Sequence, residues 1–392
     1  MTDNRSATRH TKWGRVILMA VGAAIAVGVV VLAFLWPSVT SSAKDFPLAV
    51  TGPAAQVSHI EKALSKSGDT FDITTVNSRA DAVSGIRDRT YDGAIVLGGD
   101  APEVLTASAS SPVTTQIMSG VQSRLQKQVD SQVIAGINAK IAAMRKAAAG
   151  AQAGGGAGTI PTVHVKLTDV VPLADSDPRG AGMAAAAFPF TIGGLIGGIV
   201  ISLLVSGTAR RLTAVSVYAV IVGVIVVSIM QPWLGVLQGS FALNAMAAAL
   251  AFFATGVFIV GTTSLLGSVG IGVGAVITML VGNPLSSATA PVQFLPGVWG
   301  AVGQWFVPGA SATLLRDLSY FPDADSAQSW LALGAWAVCG LLLSLVGHFR
   351  NRELVHPDGW DEEDAVSTTK TGGGAGTATP VSGRGAPEPA TV

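Results

Sequence analysis

A run of 104 residues without a single Asp, Glu, Lys, Arg or His constrains the fold of this chain more than any other feature. The run extends from Leu212 to Leu315 in a sequence of 392 residues. Charged residues make up 12% of the whole sequence, against about 25% in an ordinary soluble domain. A water-soluble domain of this length would not lack every solvating charge. The composition therefore excludes a soluble enzyme and, at zero net charge, a nucleic-acid-binding protein.

Six apolar stretches without ionisable side chains predict a polytopic α-helical membrane protein with six transmembrane helices. Crossing the hydrocarbon core of a bilayer, about 30 Å thick, takes about 20 helical residues. The first stretch is interpreted as an uncleaved anchor, because its apolar run is too long for a signal peptide. The fifth is the shortest and is rich in glycine. The predicted spans are Val16–Pro37, Ala184–Ser206, Leu212–Trp233, Phe241–Thr263, Leu265–Val281 and Ser329–Gly347.

The distribution of Lys and Arg predicts that both termini are cytoplasmic, since positive residues concentrate in cytoplasmic loops. With the N-terminus inside, the two short outer loops between the later spans carry only Arg316. The remaining segments then divide into a cytoplasmic N-terminus (1–15), an extracytoplasmic domain (38–183), a five-helix membrane domain (184–347) and a disordered cytoplasmic tail (348–392). The positive residues of the inside segments are Arg5, Arg9, Lys12, Arg15, Arg210, Arg211, Arg350 and Arg352.

The segment between the first two spans predicts an α/β domain. Residues 40–183 hold 26 of the 48 charges of the chain. Helical spacing, alternation within the second strand, an apolar run in the third and the stop at Gly52-Pro53 predict a β-α-β-α-β order. Its elements are Phe46–Thr51, Ala54–Lys66, Thr70–Val76, Arg79–Asp88 and Tyr91–Leu97. A long helix over Pro112–Ala149 follows, and then a strand over Thr162–Leu167. The polar face of the long helix is interpreted as a solvated surface or, alternatively, as a docking surface for a partner.

The sequence offers no constellation of residues for catalysis, cofactor binding or metal binding. The two histidines of the α/β segment, His59 and His164, stand in no metal-ligand spacing, and no GxSxG motif occurs. No GxxxxGK[ST] motif occurs either, so the chain has no P-loop for ATP. The six predicted spans contain no titratable group, which argues against transport driven by protons. We therefore expect a protein that is not an enzyme. Either a partner protein supplies the energy for transport, or the chain does not transport anything.

Small residues mark two of the predicted spans. Glycines spaced four apart let helix backbones approach closely in lipid. They are interpreted as sites of packing within the chain or, alternatively, as the seam of a homodimer. These glycines are Gly193, Gly194, Gly197 and Gly198 in the second span and Gly270 and Gly274 in the fifth.

Five prolines and several aromatic residues crowd the segment from Asn283 to Asp325. Prolines at this density prevent a single spanning helix, and Trp and Tyr favour the membrane interface. The segment therefore predicts a pair of short re-entrant or interfacial helices on the outer side. Its candidate residues are Pro284, Pro296, Trp299, Pro308 and Arg316.

Three stretches give the chain a resemblance to a known family. They are RTYDGAIVL (Arg89–Leu97), VVPLADSDPRGAGMAAAAFPFTIGG (Val170–Gly194) and the Asn-Pro, Leu-Pro, Trp and Pro pattern within Gly282–Phe321. Together with the order of spans, they resemble the membrane subunit of type-2 ABC exporters, in particular the branch of the phage-infection-protein (Pip-like) membrane proteins. The resemblance covers about 350 residues in architecture, and it contains no catalytic motif.

The resemblance implies a permease subunit in the plasma membrane of a bacterium. Such a subunit works as a dimer with separate ABC ATPase subunits and moves a lipidic or drug-like substrate outward. Two features depart from the family: about 15 residues precede the first span, and the loop after the second span is only Gly207–Arg211. Both leave little surface for an ATPase. The alternative is a non-transporting scaffold or accessory subunit of a cell-envelope or secretion complex, a hetero-oligomer in which the long helix docks a partner.

Overall fold

The computed structural model describes residues 13–66, 68–99, 101–148 and 163–352. The predicted cytoplasmic N-terminus up to residue 12, and the tail from residue 353, lie outside the described residues. The described part of 1–348 forms one compact unit. The helices are α1 (Trp13–Thr40), α2 (Ala54–Ser65), α3 (Arg79–Arg87), α4 (Pro112–Ala148), α5 (Ala181–Leu204), α6 (Thr208–Ser228), α7 (Phe241–Leu266), α8 (Ser268–Ala275), α9 (Trp299–Gly303), α10 (Val307–Tyr320) and α11 (Ala327–Arg352).

Among the described residues, four helical segments are long and apolar enough to cross a membrane. They are Ala181–Leu204, Thr208–Trp233, Phe241–Leu266 and Ala327–Arg350, and they confirm the second, third, fourth and sixth predicted spans as apolar helices of sufficient length. The second of them ends in a π-helical turn, Ile229–Trp233, that contains Pro232.

The first and fifth predicted spans are not confirmed at full length. The first falls within α1, of which Val27–Pro37 forms a shorter apolar segment. The fifth corresponds to Ser268–Gly282, where α8 continues into a π-helical segment. Its 15 residues extend about 22 Å at the rise of an α-helix, less than the thickness of the hydrocarbon core. The segment is short because Gly267, at φ +66°, interrupts the helix between α7 and α8.

A five-stranded sheet lies in the sheet region, by which we mean residues 41–180. The strands are β1 (Phe46–Thr51), β2 (Phe71–Thr75), β3 (Gly93–Val96), β4 (Glu103–Thr106) and β5 (Lys166–Asp169). Their order is β2-β1-β3-β4-β5, and only the β3–β4 pair is antiparallel. The predicted β-α-β-α-β layer is present. Strand β4 was not predicted, however. The last strand was predicted at Thr162–Leu167, a few residues before β5, because β5 is short and has only one half-buried side chain.

The sheet carries a hydrophobic core on each face. Phe46, Leu48 and Val50 of β1 alternate with Ala49, since successive side chains of a strand point to opposite faces. The first face packs against α2 and α4. The second face packs against α3. The sheet region is therefore a three-layer α/β/α arrangement.

Helix α7 is the centre of the helical bundle, by which we mean residues 181–348. It packs against α5, α6, α8 and α10. It also approaches α11 closely at one point, where a Cβ added to Gly340 would lie 2.6 Å from the backbone nitrogen of Phe258. Small residues therefore set the distance between these helix backbones, as in membrane helix pairs generally.

Glu103 links β4 to its neighbours through hydrogen bonds and ion pairs. Its carboxylate accepts hydrogen bonds from Arg79 of α3 at 2.7 Å and from Thr168 of β5 at 2.5 Å. The ammonium of Lys166 lies 3.8 Å away. The hydrogen bond from Arg79 is the main reason that the pKa of Glu103 falls to about 2.

Glu103 should contribute stability at neutral pH that is lost in acid. Its folded pKa lies below the ordinary value of 4.5, so the contribution is complete above pH 4.5 and disappears as the pH falls towards about 2. In Glu103→Gln, the thermal unfolding midpoint should fall less between those pH values than in the unmodified protein. The control is Glu61→Gln, whose carboxylate accepts from the Thr75 hydroxyl instead of a cation. Equal acid sensitivity of Glu103→Gln and the unmodified protein would contradict this role.

Candidate functional site

The proline-rich segment 283–325 lies where the helical bundle meets the sheet region. Two short helices, α9 and α10, occupy it, preceded by a 3₁₀ turn at Val292–Phe294. Pro308 lies in the first turn of α10, where a missing N–H costs nothing. The carbonyl of Pro296 accepts from the amide of Trp299 and so begins the turn into α9. The prolines thus determine where each short helix starts.

Two phenylalanines of this segment complete the two cores of the sheet region. Phe294 is buried in the core of the first face, with its ring centroid 6.4 Å from that of Phe46. Phe321, directly after α10, is 1% exposed and lies in the core of the second face with Ile86 of α3 and Leu105 of β4. The helical bundle therefore supplies a large side chain to each face of the sheet.

An ion pair beside Phe321 also joins the helical bundle to the sheet region. The guanidinium of Arg89 donates to the carboxylate of Asp317 in α10, whose side chain is only 5% exposed. The Arg89 guanidinium also lies 5.2 Å from the centroid of the Phe321 ring. Arg89 follows α3 in a left-handed conformation, φ +64°. This conformation is uncommon for a residue other than glycine.

Two further charges lie close to this pair. Arg316, which precedes Asp317 in α10, is buried and donates to the carbonyl of Ala288 at 2.7 Å. Asp92 accepts from the Ser110 hydroxyl at 2.9 Å. Burial raises the pKa of the Asp92 carboxyl, while Ser110, Arg89 and Arg316 oppose the rise. Two guanidinium groups and two carboxylates together form a cluster that is neutral overall, which offsets the cost of burying each charge.

A cleft of about 450 Å³ lies between α1 and the start of segment 283–325. Its apolar lining includes Phe34 and Pro37 of α1 and Ala184 near the start of α5. None of the described residues that line it is charged. Its polar lining consists of the amide of Asn283 and hydroxyl groups, at Ser41, Ser286, Ser287 and Thr289. The cleft therefore has the mixed lining expected for an uncharged amphiphile, and its volume is in the range of small-molecule sites.

Ser287 is the unusual residue of the cleft. Its hydroxyl oxygen is buried and has no hydrogen-bond partner among the described residues. Its backbone has φ +50°, in the left-handed region. An unpaired buried hydroxyl costs about 1–3 kcal/mol, so this side chain is costly as it stands.

The other predicted residues of the segment lie around the cleft and the charge cluster. Pro284 lines the cleft. Trp299 meets Trp36 of α1 edge to face, with 6.2 Å between ring centroids, and so ties α1 to the segment. Pro308 and Arg316 line a neighbouring small cavity with Ala288, which is also part of the cleft wall. The structure therefore brings together Pro284, Trp299, Pro308 and Arg316, while Pro296 serves the local turn.

All six predicted glycines contact other residues of their own chain. Gly193 and Gly194 face Phe252 and Thr255 of α7, and Gly197 faces Tyr218 of α6. A Cβ at Gly198 would lie 2.9 Å from the Cβ of Ile259. Gly270 and Gly274 face Thr262 across the α7–α8 break. All six glycines therefore contribute to close packing within the chain.

Sequence reasoning missed Phe294, Phe321, Arg89, Asp92 and Ser287. The pair Arg316-Asp317 was a usable signal, because it ends the long charge-free run and charges buried there need partners. Arg89 and Asp92 gave no such signal, since they stand in a segment of ordinary charge content. Groups of three or more residues able to hold a metal are absent from the described part of the chain.

Comparisons with protein-family models, with curated proteins and with solved structures found no match.

The Arg89–Asp317 pair should contribute measurably to stability. Arg89→Ala leaves a nearly buried carboxylate without its cation, which costs about 2 kcal/mol or more. We expect a lower free energy of unfolding in detergent micelles, and a double-mutant cycle with Asp317→Ala should show strong coupling. Arg87→Ala, an exposed arginine of α3, is the control and should change little. Independent, additive effects of Arg89→Ala and Asp317→Ala would refute the pairing.

Gly198→Leu should disrupt the packing of α5 on α7. The added side chain meets Ile259 and the backbone of Gly256 within about 3.1 Å, and overpacking of this kind costs about 1–3 kcal/mol. Size-exclusion chromatography should show a smaller folded fraction and fluorescence a lower unfolding midpoint. Gly334→Leu in α11 is the matched control, since nothing lies within 4 Å of its added Cβ. A Gly198→Leu protein as stable as the control would exclude the contact.

Proposed function

We propose that this chain is the membrane subunit of an ABC-type exporter that moves a lipidic or drug-like substrate outward. It acts as a dimer with separate ATPase subunits in the plasma membrane of a bacterium. The observation that carries the proposal is the cleft between α1 and segment 283–325. Its apolar and uncharged polar lining suits an amphiphile better than an ion or a charged metabolite.

The depth of the cleft supports this function. Asn283 in its lining accepts a hydrogen bond from the Thr191 hydroxyl at 3.4 Å, and Thr191 lies near the midpoint of α5. Ala184, which also lines the cleft, lies near the start of the same helix. At 1.5 Å per residue these two levels differ by about 10 Å. With the sheet region outside, the cleft reaches from the outer surface towards the bilayer centre, the path that an outward-moving amphiphile would take.

The positions of the charged residues in the helices support transport that is driven by a separate ATPase. The charged residues of the four long apolar segments stand at their ends, such as Arg210 at the start of α6 and Arg350 at the end of α11. A proton-coupled transporter needs a titrating group within the bilayer. The sequence also contains no P-loop. Energy for transport would therefore come from a partner ATPase on the side of Arg210 and Arg350, which the Lys/Arg bias assigns to the cytoplasm.

One observation favours the second candidate, a non-transporting scaffold or accessory subunit. Helices α5 and α6 are joined by only three residues, Val205–Gly207, which leaves no room for a helix that couples to an ATPase. In that case the 37-residue helix α4, with exposed Ile134 and Ile141, would dock the partner.

Co-purification from native membranes distinguishes the two candidates. An exporter subunit should retain an ATPase in mild detergent, and Arg210→Glu should at least roughly halve its recovery by placing a negative charge at the cytoplasmic contact. The control is Arg179→Glu, an exposed arginine before α5 on the side assigned to the exterior. Recovery of envelope proteins without any ATPase, together with unchanged efflux in a deletion strain, would reject the exporter and favour the scaffold.

A further inference from the structure

We propose that a groove between α2 and α4 binds a single acyl chain that ends in a carboxylate, with the guanidinium of Arg124 as the partner of that carboxylate. The groove is the space lined by residues 117–133 of α4 and 55–64 of α2, on the first face of the sheet. This site lies in the sheet region, apart from the cleft. It goes beyond the proposed function, because binding there does not depend on export.

The groove is a row of three connected cavities along α4. The first cavity, of about 440 Å³, shares Val121 and Arg124 with a middle cavity of about 190 Å³. The middle cavity shares Leu125 and Gln128 with a far cavity of about 480 Å³. The shared residues therefore fix the order of the cavities along the helix, and the lining residues 117–133 of α4 cover about 24 Å.

The floor of the groove is apolar, and its rim is polar. Ile60 of α2, Leu97 after β3 and Leu125 of α4 line the far cavity and are buried. Gln56 and Gln132 line the same cavity, but both are exposed. An acyl chain on this floor would remove apolar side chains from water, which is the main favourable term in binding such a ligand.

The position of charge in the groove determines where the carboxylate binds. Among the described lining residues, Arg124 is the only arginine or lysine, and none is an aspartate or glutamate. Arg124 pairs with no carboxylate in the described part of the chain. A guanidinium matches the two oxygens of a carboxylate. Because Arg124 stands between the first and middle cavities, the middle and far cavities are left for the tail.

The far cavity lies where open parallel sheets most often bind ligands. In the strand order β2-β1-β3-β4-β5, the connections reverse direction between β1 and β3. Ala55, in the first turn of the helix that follows β1, and Leu97, directly after β3, both line the far cavity. The crevice outside the carboxyl ends of the strands at such a reversal is the usual ligand site of α/β sheets.

The first cavity lies close to the helical bundle. Phe71 lines it, with its ring centroid 6.0 Å from that of Phe46. The Phe46 ring lies in turn 6.4 Å from that of Phe294 in segment 283–325. The end of the groove that carries Arg124 is therefore the end nearer to the bundle, where membrane lipids are present.

Photolabelling of the purified full-length protein in phosphatidylcholine nanodiscs tests the proposal. The probe is palmitic acid with a diazirine near the methyl end of the chain, and the control probe is the methyl ester of the same acid. We expect the acid to label peptides from 54–65 or 112–133 at least threefold more strongly than the ester does. Arg124→Gln should reduce labelling by the acid about threefold, the effect of a solvent-exposed ion pair.

Lys127→Gln is the matched control, since this exposed residue of α4 lies outside the groove lining. It should label like the unmodified protein. Ala63→Phe fills the middle cavity and should abolish the labelling of peptide 112–133, whereas Ala135→Phe, at an exposed position of α4 outside the lining, should not.

Equal labelling by the acid and the ester would overturn the proposal. Equal labelling of the Arg124→Gln and Lys127→Gln proteins, or full labelling of the Ala63→Phe protein, would overturn it as well. None of these results depends on a co-purified ATPase or on efflux, so each leaves the proposed exporter to its own test.

Discussion

The sheet region takes part of each of its two hydrophobic cores from the helical bundle. Phe294 enters the core between the sheet and helices α2 and α4, and Phe321 enters the core beneath α3. Neither core would be closed without these side chains, and burying a phenylalanine contributes about 1.5–3 kcal/mol. Because both residues belong to segment 283–325, the conformation of that segment and the closure of the sheet region depend on each other.

The same segment contributes two buried charges to the apolar bundle, and both have partners. Asp317 is paired with Arg89 of the sheet region, while Arg316 satisfies a backbone carbonyl at the cleft wall. Both residues lie on α10, which packs against α7 at the centre of the bundle. Helix α10 therefore connects three parts of the molecule: the central helix, the sheet and the cleft.

Much of the fold follows from patterns within short stretches of sequence. Helices α5, α6 and α7 are long apolar runs, and β1 is a short apolar run that ends at Gly52-Pro53, so local patterns were sufficient to predict them. Strand β4 was missed because Glu103–Thr106 has only four residues and begins with a charge that the structure pairs with Arg79. The candidate site was only half predictable. The prolines predict the short helices. The contacts of Phe321 with Ile86 and of Arg89 with Asp317 could not be predicted, because they join residues more than 200 positions apart.

The central claim is that the sheet region and the helical bundle form one rigid body through segment 283–325. The most direct measurement is a spin-label distance distribution in nanodiscs. The labels are placed at Asp81→Cys on α3 and Gln328→Cys on α11, both exposed positions, in a Cys339→Ala background that removes the single native cysteine. We expect one narrow distance distribution that becomes broad when Phe321 is replaced by Ala. A distribution that is already broad in the protein with Phe321, or one that is the same after Phe321→Ala, would contradict this claim.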